Sequence, residues 1–265
     1  MIRHLGNIEP LGYNFQPMNI VLFSAEEIGS PLPASDYRYQ HVQNILHKKV
    51  GDSFEAGIIN GDAGKACISK LTAEYLTFDF IPATDGMPLY PVTMIIGFPR
   101  PIQLKRLLRD VASLGVQAVH LVGTDLGEKS YLQSNMSNPQ AVWDMLRDGS
   151  VQAKSTHVPS ATIHRSLEDC LAALQLSSTC TVALDNGEPS IALTEYLSQK
   201  QSQGSSLQHT GVIAAIGSER GWTARERQLF LDNGFTLCSM GQRVLRTETA
   251  STVAISLILS CMGII

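Results

Sequence analysis

Two glycines enclose a short polar segment after an apolar run, a spacing typical of ligand-binding loops. The segment is 217–221 (GSERG), and it follows the apolar run Gly211–Ile216. Because glycine has no side chain, the backbone at Gly217 and Gly221 can approach a ligand and present its N–H and C=O groups. A plain turn from strand to helix has the same pattern, so the loop alone does not establish a site. The chain has neither GxGxxG nor GxxxxGK[ST], which argues against dinucleotide and P-loop sites.

A second polar loop carries two arginines and a glutamate between a short strand and an apolar helix. It is the segment 240–250 (MGQRVLRTETA), with Arg243, Arg246 and Glu248. A guanidinium group can stabilise negative charge that develops during a reaction, and a carboxylate is favoured in the first turn of a helix. Solvated arginines, or arginines paired with Glu219 or Glu248, would give the same sequence. Both interpretations stay open at this point.

The histidines and cysteines predict neither a metal site nor a disulfide scaffold. The seven histidines show no HxxxH or HExxH spacing, and none of the five cysteines forms a CxxC pair. The cysteines lie mostly in apolar runs, so we expect buried, reduced thiols. Reduced thiols are typical of the cytosol, and we therefore expect a cytoplasmic protein.

Strands and helices alternate after residue 90, which predicts an α/β fold with a parallel sheet and helices on both faces. The predicted strands are Val92–Gly97, Ala118–Val122, Thr181–Leu184, Gly211–Ile216 and Phe235–Ser239. The predicted helices are Gln103–Leu114, Ala141–Val151, Leu167–Leu176, Glu188–Gln199, Thr223–Asp232 and Glu248–Met262, with a polar loop over Ser198–Thr210. Ligands bind beyond the carboxyl ends of such strands, where the segments 185–187, 217–221 and 240–250 would meet.

The first third of the chain is predicted to be a small β domain with one helix. The predicted strands are Ser53–Ile59, Lys65–Leu71 and Tyr75–Ile81, with a hairpin signal at 60–64 (NGDAG). A helix is predicted over Asp36–Lys49, and the segment Pro82–Pro91 is the predicted linker. Residues 1–17 are predicted to be an extension, and they lack the apolar segment of a signal peptide.

Composition and charge limit the class of function. Hydrophobic residues make up 44% and charged residues 17% of the chain, which is the balance of a globular protein. Twenty basic and 24 acidic residues give a net charge of −4, so nucleic-acid binding would require a local basic face. The apolar stretch Ala250–Ile265 is too short for a comfortable membrane span and predicts a buried helix or a subunit interface.

The loops described above together resemble the carboxy-terminal signature of a known family. The segment 216–250 (IGSERGWTARERQLFLDNGFTLCSMGQRVLRTETA) is similar to that of the ribosomal small-subunit uridine-N3 methyltransferases of the RsmE type, within the trefoil-knotted SPOUT class. The family pattern is approximately IGPEGGFSxxE…GF…LGxRILRxETA, and LRTETA at Leu245–Ala250 is its specific part. Upstream, the segments 114–116 (LGV), 128–130 (EKS) and 184–185 (LD) are also similar to family segments. The matching signature positions are Ile216, Gly217, Glu219, Gly221, Glu226, Gly234, Phe235, Gly241, Arg243, Leu245, Arg246, Glu248, Thr249 and Ala250.

The resemblance implies a fold, a cofactor and partners. It implies a knotted SPOUT-type parallel sheet flanked by helices over residues 90–265, after a PUA-like β-barrel RNA-binding domain over residues 18–84. It implies S-adenosyl-L-methionine as cofactor, N3 of a uridine in 16S ribosomal RNA as methyl acceptor, and a homodimer through the last helix rather than a membrane partner. The implied cofactor contacts are Leu184, Ile216, Gly217, Glu219, Gly221, Met240, Gly241, Leu245, Arg246, Thr247 and Thr249. In the reaction, Arg246 would stabilise negative charge on the uracil, and Glu248 or Glu219 would orient the reacting groups.

Four positions depart from the family pattern and support an alternative function. Ser218 and Arg220 stand at the usual proline and second glycine of GPEGG, while Asp110 and Ser113 stand near the places where members tend to carry Lys and Glu. These are positions where substrate or catalytic contacts would be expected. The alternative is a catalytically reduced RNA- or ribosome-binding paralogue with the same fold.

Overall fold

A computed structural model of the chain contains two sheets. The structure describes residues 20–265 other than 133, 135–137, 175, 177–178 and 205. The extension predicted for residues 1–17 lies outside the described residues. Within the described part of the chain, no helix is both long and apolar enough to cross a bilayer.

The amino-terminal region is a five-stranded mixed sheet with the order β1-β3-β4-β5-β2. Its strands are β1 (Val21–Phe23), β2 (Leu32–Pro33), β3 (Ser53–Ile58), β4 (Ala63–Leu71) and β5 (Tyr75–Thr84). Alternate residues of β3, β4 and β5 turn their side chains inward around Phe23, Leu76 and Phe78, as the partial alternation predicts. The predicted barrel-like fold is confirmed, and the sheet curls into a half-barrel. The two shortest strands were not predicted, because two or three residues carry no readable alternation.

The predicted helix Asp36–Lys49 is shorter in the structure. It consists of α1 (Tyr37–Gln40) and a single π-helical turn, His41–Ile45. Asp36 caps the start, since its Oδ1 accepts a hydrogen bond from the backbone N–H of Arg38 at 2.8 Å. The helix ends before His47, whose φ of 50° lies in the left-handed region.

The predicted linker Pro82–Pro91 is also shorter, because the flanking strands extend into it. β5 runs to Thr84 and the next strand begins at Tyr90, which leaves residues 85–89 as the connection. The β3–β4 hairpin docks on the second region: Thr156 Oγ1 donates to the carbonyl oxygen of Gly61 at 2.6 Å, and Asn60 Oδ1 accepts from the N–H of Val158 at 3.0 Å. The domain boundary at residues 84–90 stays a prediction.

The second region is a seven-stranded, fully parallel sheet with the order β10-β12-β9-β11-β6-β7-β8. Its strands are β6 (Tyr90–Gly97), β7 (Val116–Val122), β8 (Ser160–His164), β9 (Cys180–Leu184), β10 (Ile191–Ala192), β11 (Val212–Ile216) and β12 (Thr236–Ser239). Its helices are α2 (Pro101–Ser113), α3 (Lys129–Leu132), α4 (Pro139–Gln152), α5 (Leu167–Ala173), α6 (Leu193–Ser202), α7 (Leu207–Thr210), α8 (Ala224–Asp232) and α9 (Thr247–Cys261).

Helices cover both faces of this sheet, as the sequence predicts. Alternate residues of β11 point to opposite faces of the sheet. Val212, Ala214 and Ile216 face the core under α2, α4, α6 and α9. Ile213 and Ala215 face the core under α5 and α8. A continuous apolar strand is what burial on both sides requires.

The larger differences from the sequence prediction lie in three segments. The helix predicted over Glu188–Gln199 begins only at Leu193, because Ile191 and Ala192 pair with β12. The predicted loop Ser198–Thr210 is largely helical, since α6 runs to Ser202 and α7 follows. β8 was not predicted because its sequence, SATIH, is not a continuous apolar run. It lies at the edge of the sheet, where most of its residues are exposed.

The carboxy-terminal strand enters the sheet between two strands that are consecutive along the chain. β12 lies between β9 and β10, so the chain re-enters inside the connection that β9, β10 and α6 form. α9 then packs beside α6 and α2. This insertion is the arrangement expected of a knotted parallel sheet, and it brings the loops after β9, β11 and β12 to one edge.

Candidate active site

A cavity of about 250 Å³ lies at the carboxyl ends of β9, β11 and β12. It forms because three parallel neighbouring strands end at the same edge of the sheet. Its lining residues are Leu184, Asp185, Asn186, Gly187, Ile216, Gly217, Ser218, Glu219, Arg220, Gly221, Arg227, Met240, Arg243, Val244, Leu245, Thr247 and Ala250. The lining joins the three loops that the sequence predicts to meet.

Most of the predicted cofactor contacts line this cavity. They are Leu184, Ile216, Gly217, Glu219, Gly221, Met240, Leu245 and Thr247. Gly241, Arg246 and Thr249 are not among the lining residues, and neither is Glu248. Arg246 is exposed at the start of α9, between two residues that do line the cavity. The roles predicted for these four residues stay predictions.

The loop 217–221 is closed by its own backbone. Ser218 and Gly221 form an isolated antiparallel bridge, and Gly221 has a φ of 71°. A Cβ on Gly217 would come within 2.9 Å of the backbone of Gly221, and one on Gly97 within 2.3 Å of the Ser218 nitrogen. The glycines are therefore required by close backbone approach rather than by flexibility alone.

Hydrogen bonds to three neighbouring segments fix the same loop. Thr247 Oγ1 donates to the carbonyl oxygen of Gly217 at 3.3 Å, and Thr124 Oγ1 donates to Ser218 Oγ at 3.0 Å. Glu219 Oε1 accepts the backbone N–H of Arg100 at 3.0 Å. The loop is thus held between the ends of β6, β7 and α9.

A capping box of Thr223 and Glu226 begins α8 directly after the loop. Glu226 is fully buried, and its two oxygens accept the backbone N–H groups of Asp125 at 2.9 Å and Thr223 at 2.8 Å. The capping carboxylate therefore ties the start of α8 to the loop after β7. Asp125 in turn binds the guanidinium of Arg225, and hydrogen bonds from Arg225 lower the pKa of Asp125.

An ion pair between half-buried Arg227 and buried Asp185 forms one wall of the cavity. Arg227 Nε donates to Asp185 Oδ2 at 2.6 Å, and a second nitrogen donates to Oδ1 at 3.2 Å. Burial raises the pKa of Asp185, but the hydrogen bonds from Arg227 and the backbone N–H of Glu188 outweigh it and the pKa is lowered. The sequence alone does not reveal this pair, because 42 residues separate its members.

The loop 241–246 is exposed over most of its length. Gly241, Gln242, Arg243, Val244 and Arg246 are all exposed, and Gly241 has a φ of 105°. Within the described part of the chain, neither Arg243 nor Arg246 forms an ion pair or a side-chain hydrogen bond. The structure therefore shows no clamp from Arg246 to Glu219 or Glu248.

The four residues that depart from the family pattern line two further clefts. The first, about 310 Å³, adjoins the cavity across the loop 217–221 and includes Ser218, Glu219 and Arg220. Its remaining lining residues are Arg100, Leu126, Gly127, Glu128 and Tyr131. The second, about 480 Å³, lies between α2 and α4 and is lined by Asp110 and Ser113 together with exposed Lys105, Arg106 and Arg109.

Comparisons with known proteins agree with this geometry. A family model described as RNA methyltransferase domain matches residues 86–259. A ribosomal RNA small subunit methyltransferase E of Treponema pallidum is 41% identical over 92% of this chain and 91% of its own length. One named methyltransferase E 1, of Borreliella burgdorferi, is 30% identical over 91% of this chain and 97% of its own. A methyltransferase E crystal structure from Neisseria gonorrhoeae, bound to S-adenosyl methionine, superposes with a TM-score of 0.74 at 19% identity. It covers 92% of this chain and 97% of that one.

Proposed function

The chain belongs to the ribosomal RNA small subunit methyltransferase E family, and on that premise we propose that it methylates N3 of a uridine in 16S ribosomal RNA with S-adenosylmethionine. The observation that carries the proposal is one cavity built from the loops 217–221 and 240–250, with a second cleft across the first loop. In this proposal the cavity takes the cofactor, and the adjoining cleft takes the target base.

The lining of the cavity fits an adenosine-containing cofactor chemically. Leu184, Ile216, Met240 and Leu245 offer apolar surface for a planar ring, while the backbone of Gly217 and its neighbours offers N–H and C=O groups for the ring edge. When bound, S-adenosylmethionine supplies a methyl group that its sulfonium makes electrophilic. The protein residues therefore have to position the acceptor rather than activate the methyl group. Gly241 and Thr249 are assigned as further contacts from the exposed loop and the first turn of α9.

Arg246 is assigned to the uracil ring. N3 of uracil is a weak nucleophile while it carries its proton, and negative charge spreads onto O2 and O4 as the proton leaves. An exposed guanidinium with no ion-pair partner among the described residues is available to stabilise that charge. Glu219, fixed by the N–H of Arg100, and Glu248, in the first turn of α9, are assigned to orient the groups around it.

Arginine side chains around the cavity and the cleft that adjoins it suit an anionic polynucleotide. Arg220 lines both the cavity and the adjoining cleft, and Arg243 lines the cavity. Exposed Lys105, Arg106 and Arg109 on α2 extend the basic face, which a chain of net charge −4 needs for RNA binding. The amino-terminal sheet is assigned as a further RNA-contacting region.

We also propose that two copies pair through α9. Ile255 and Leu259 are buried within the chain's own core, so the interface would use the partly exposed side of the helix, with Val253 and Leu257. Val253→Asp together with Leu257→Asp should give monomers that keep the wild-type circular dichroism. Sedimentation of the wild-type chain as a stable monomer at micromolar concentration would overturn this part.

The function is tested by following cofactor binding and methyl transfer separately. Calorimetry with S-adenosylmethionine should show binding of about one molecule per chain. Small ribosomal subunits from cells that lack this protein should then accept labelled methyl groups, whereas subunits from normal cells should not. Binding without transfer would favour the non-catalytic paralogue, and the absence of binding would reject any methyltransferase function.

A further inference from the structure

Three potential metal ligands lie together on the face of the sheet that carries α5 and α8. They are His120 on β7, His164 at the end of β8 and Cys170 on α5. The ligand atoms of all three lie within 4.8 Å of one another. Spacing along the sequence predicts no metal site, because the three residues come from three different elements.

The two histidines already face each other. His120 Nδ1 and His164 Nε2 are 2.9 Å apart, and the rings stack with an interplanar angle of 25°. His164 and Cys170 are buried and His120 is half-buried. Among the residues that the structure describes, neither imidazole has another hydrogen-bond partner and the Cys170 thiol has none.

We propose that His120, His164 and Cys170 form a Zn²⁺ site with a water molecule as fourth ligand. Imidazole nitrogen and thiolate sulfur are the donors that zinc prefers, at about 2.0–2.1 Å for nitrogen and about 2.3 Å for sulfur. Tetrahedral geometry with these bonds places two nitrogens about 3.3 Å apart. The imidazoles would therefore separate by a few tenths of an ångström, and the ring that donates the shared hydrogen would carry it on its other nitrogen instead.

Binding of zinc requires one proton to leave the cluster. Zinc takes imidazole in its neutral form and cysteine as the thiolate. The Cys170 thiol therefore releases its proton to solvent as the Zn–S bond forms.

The site would fasten the edge of the sheet beside the candidate active site. Zinc would join β7, the edge strand β8 and α5, and β7 leads directly into Thr124 and Asp125. Those two residues bind Ser218 and the capping carboxylate of Glu226. The role is structural support of the loop 217–221, and it is independent of which RNA the protein methylates.

The full-length chain, freed of metal by a chelator, tests the proposal with Zn²⁺ and Co²⁺. Zn²⁺ should bind at about one ion per chain with a micromolar or lower Kd, and at a hundredfold excess over Kd it should raise the melting temperature by about 5 °C. Co²⁺ in the same site should show the near-ultraviolet charge-transfer band of a thiolate ligand. A cobalt spectrum without that band, or no zinc binding at 100 times the chain concentration, would overturn the proposal.

Variants identify the ligands. Cys170→Ser and His164→Asn should each weaken zinc binding by about a hundredfold or more, whereas Cys67→Ser and His47→Asn should leave it unchanged. Because Cys170 is buried, each variant is first checked for the wild-type circular dichroism. The cobalt spectrum of the unaltered chain needs no variant and decides the case if a variant does not fold. Equal zinc affinity in Cys170→Ser and wild type would contradict the assignment.

Discussion

The two loops that carry the family signature differ in how firmly the rest of the protein holds them. The loop 217–221 has a backbone bridge of its own and is bound by Thr247, Thr124 and the N–H of Arg100. The loop 241–246 is exposed at Gly241, Gln242, Arg243, Val244 and Arg246. Within the described residues its arginines make no side-chain hydrogen bond.

This difference suggests that the two loops have different roles. A fixed loop of backbone donors and acceptors suits a cofactor that is bound in one pose, because little conformational entropy is lost on binding. Exposed arginines suit a polyanion that arrives from solvent. We therefore expect substitutions in the fixed loop to change stability and cofactor affinity, and substitutions in the exposed loop to change methyl transfer.

The largest effect is expected at Arg246. Arg246→Ala should lower methyl transfer about a hundredfold or more, because losing one donor to developing charge costs about 2.7–4 kcal/mol of barrier. Cofactor binding and the melting temperature should stay near the wild-type values. Arg246→Lys should rescue poorly, because an ammonium group cannot reproduce the guanidinium fork. Arg165→Ala, an exposed arginine outside the cavity, is the matched control. A joint fall in stability and cofactor affinity would instead mean that Arg246 holds the loops in place.

Glu226 should have the next largest effect, on stability. Glu226→Ala removes the acceptor of two backbone N–H groups in a buried place and should lower the free energy of unfolding by about 2–4 kcal/mol. Gln228→Ala, on the exposed side of the same helix, should change it by less than about 0.5 kcal/mol. Chemical denaturation measures both variants. Equal stability of the two would show that the capping box does not hold this loop.

Gly217 should reveal how closely the fixed loop is packed. Gly217→Ala places a Cβ within 2.9 Å of the Gly221 backbone, so the loop must shift. Affinity for S-adenosylmethionine should fall about tenfold, which corresponds to about 1.4 kcal/mol. In the control Gly61→Ala the new Cβ meets its nearest neighbour at an ordinary 3.4 Å. Unchanged affinity in calorimetry would mean that the loop is not the cofactor cradle.

The smallest effect is a pH dependence from Asp185. The folded state holds the pKa of Asp185 below its unfolded value, so its contribution to stability is present above the unfolded pKa near 4. It is lost as the pH falls through the lower, folded pKa. Asp185→Asn should remove this contribution, and the variant should lose about 1 kcal/mol less stability than wild type between pH 5 and pH 2. Parallel stability curves for the two proteins would contradict the assignment of the ion pair.

The sequence predicted the buried parallel strands well and the polar ones poorly. The apolar run predicted as Val92–Gly97 is β6, which begins only two residues earlier, because burial on both faces demands a continuous apolar strand. β8 was missed, since an edge strand needs no such run. At the site, the glycine loop was found from its spacing. The Asp185–Arg227 pair and the His120–His164–Cys170 cluster were not, because only folding brings these residues together.

Methylation mapping of small-subunit ribosomal RNA shows whether this protein methylates N3 of a uridine. RNA would be taken from cells with and without this protein, digested and compared by mass spectrometry. One uridine should carry a methyl group at N3 only when the protein is present, and Arg246→Ala should fail to restore it. Identical methylation of uridines in the two RNA samples would contradict the proposed function.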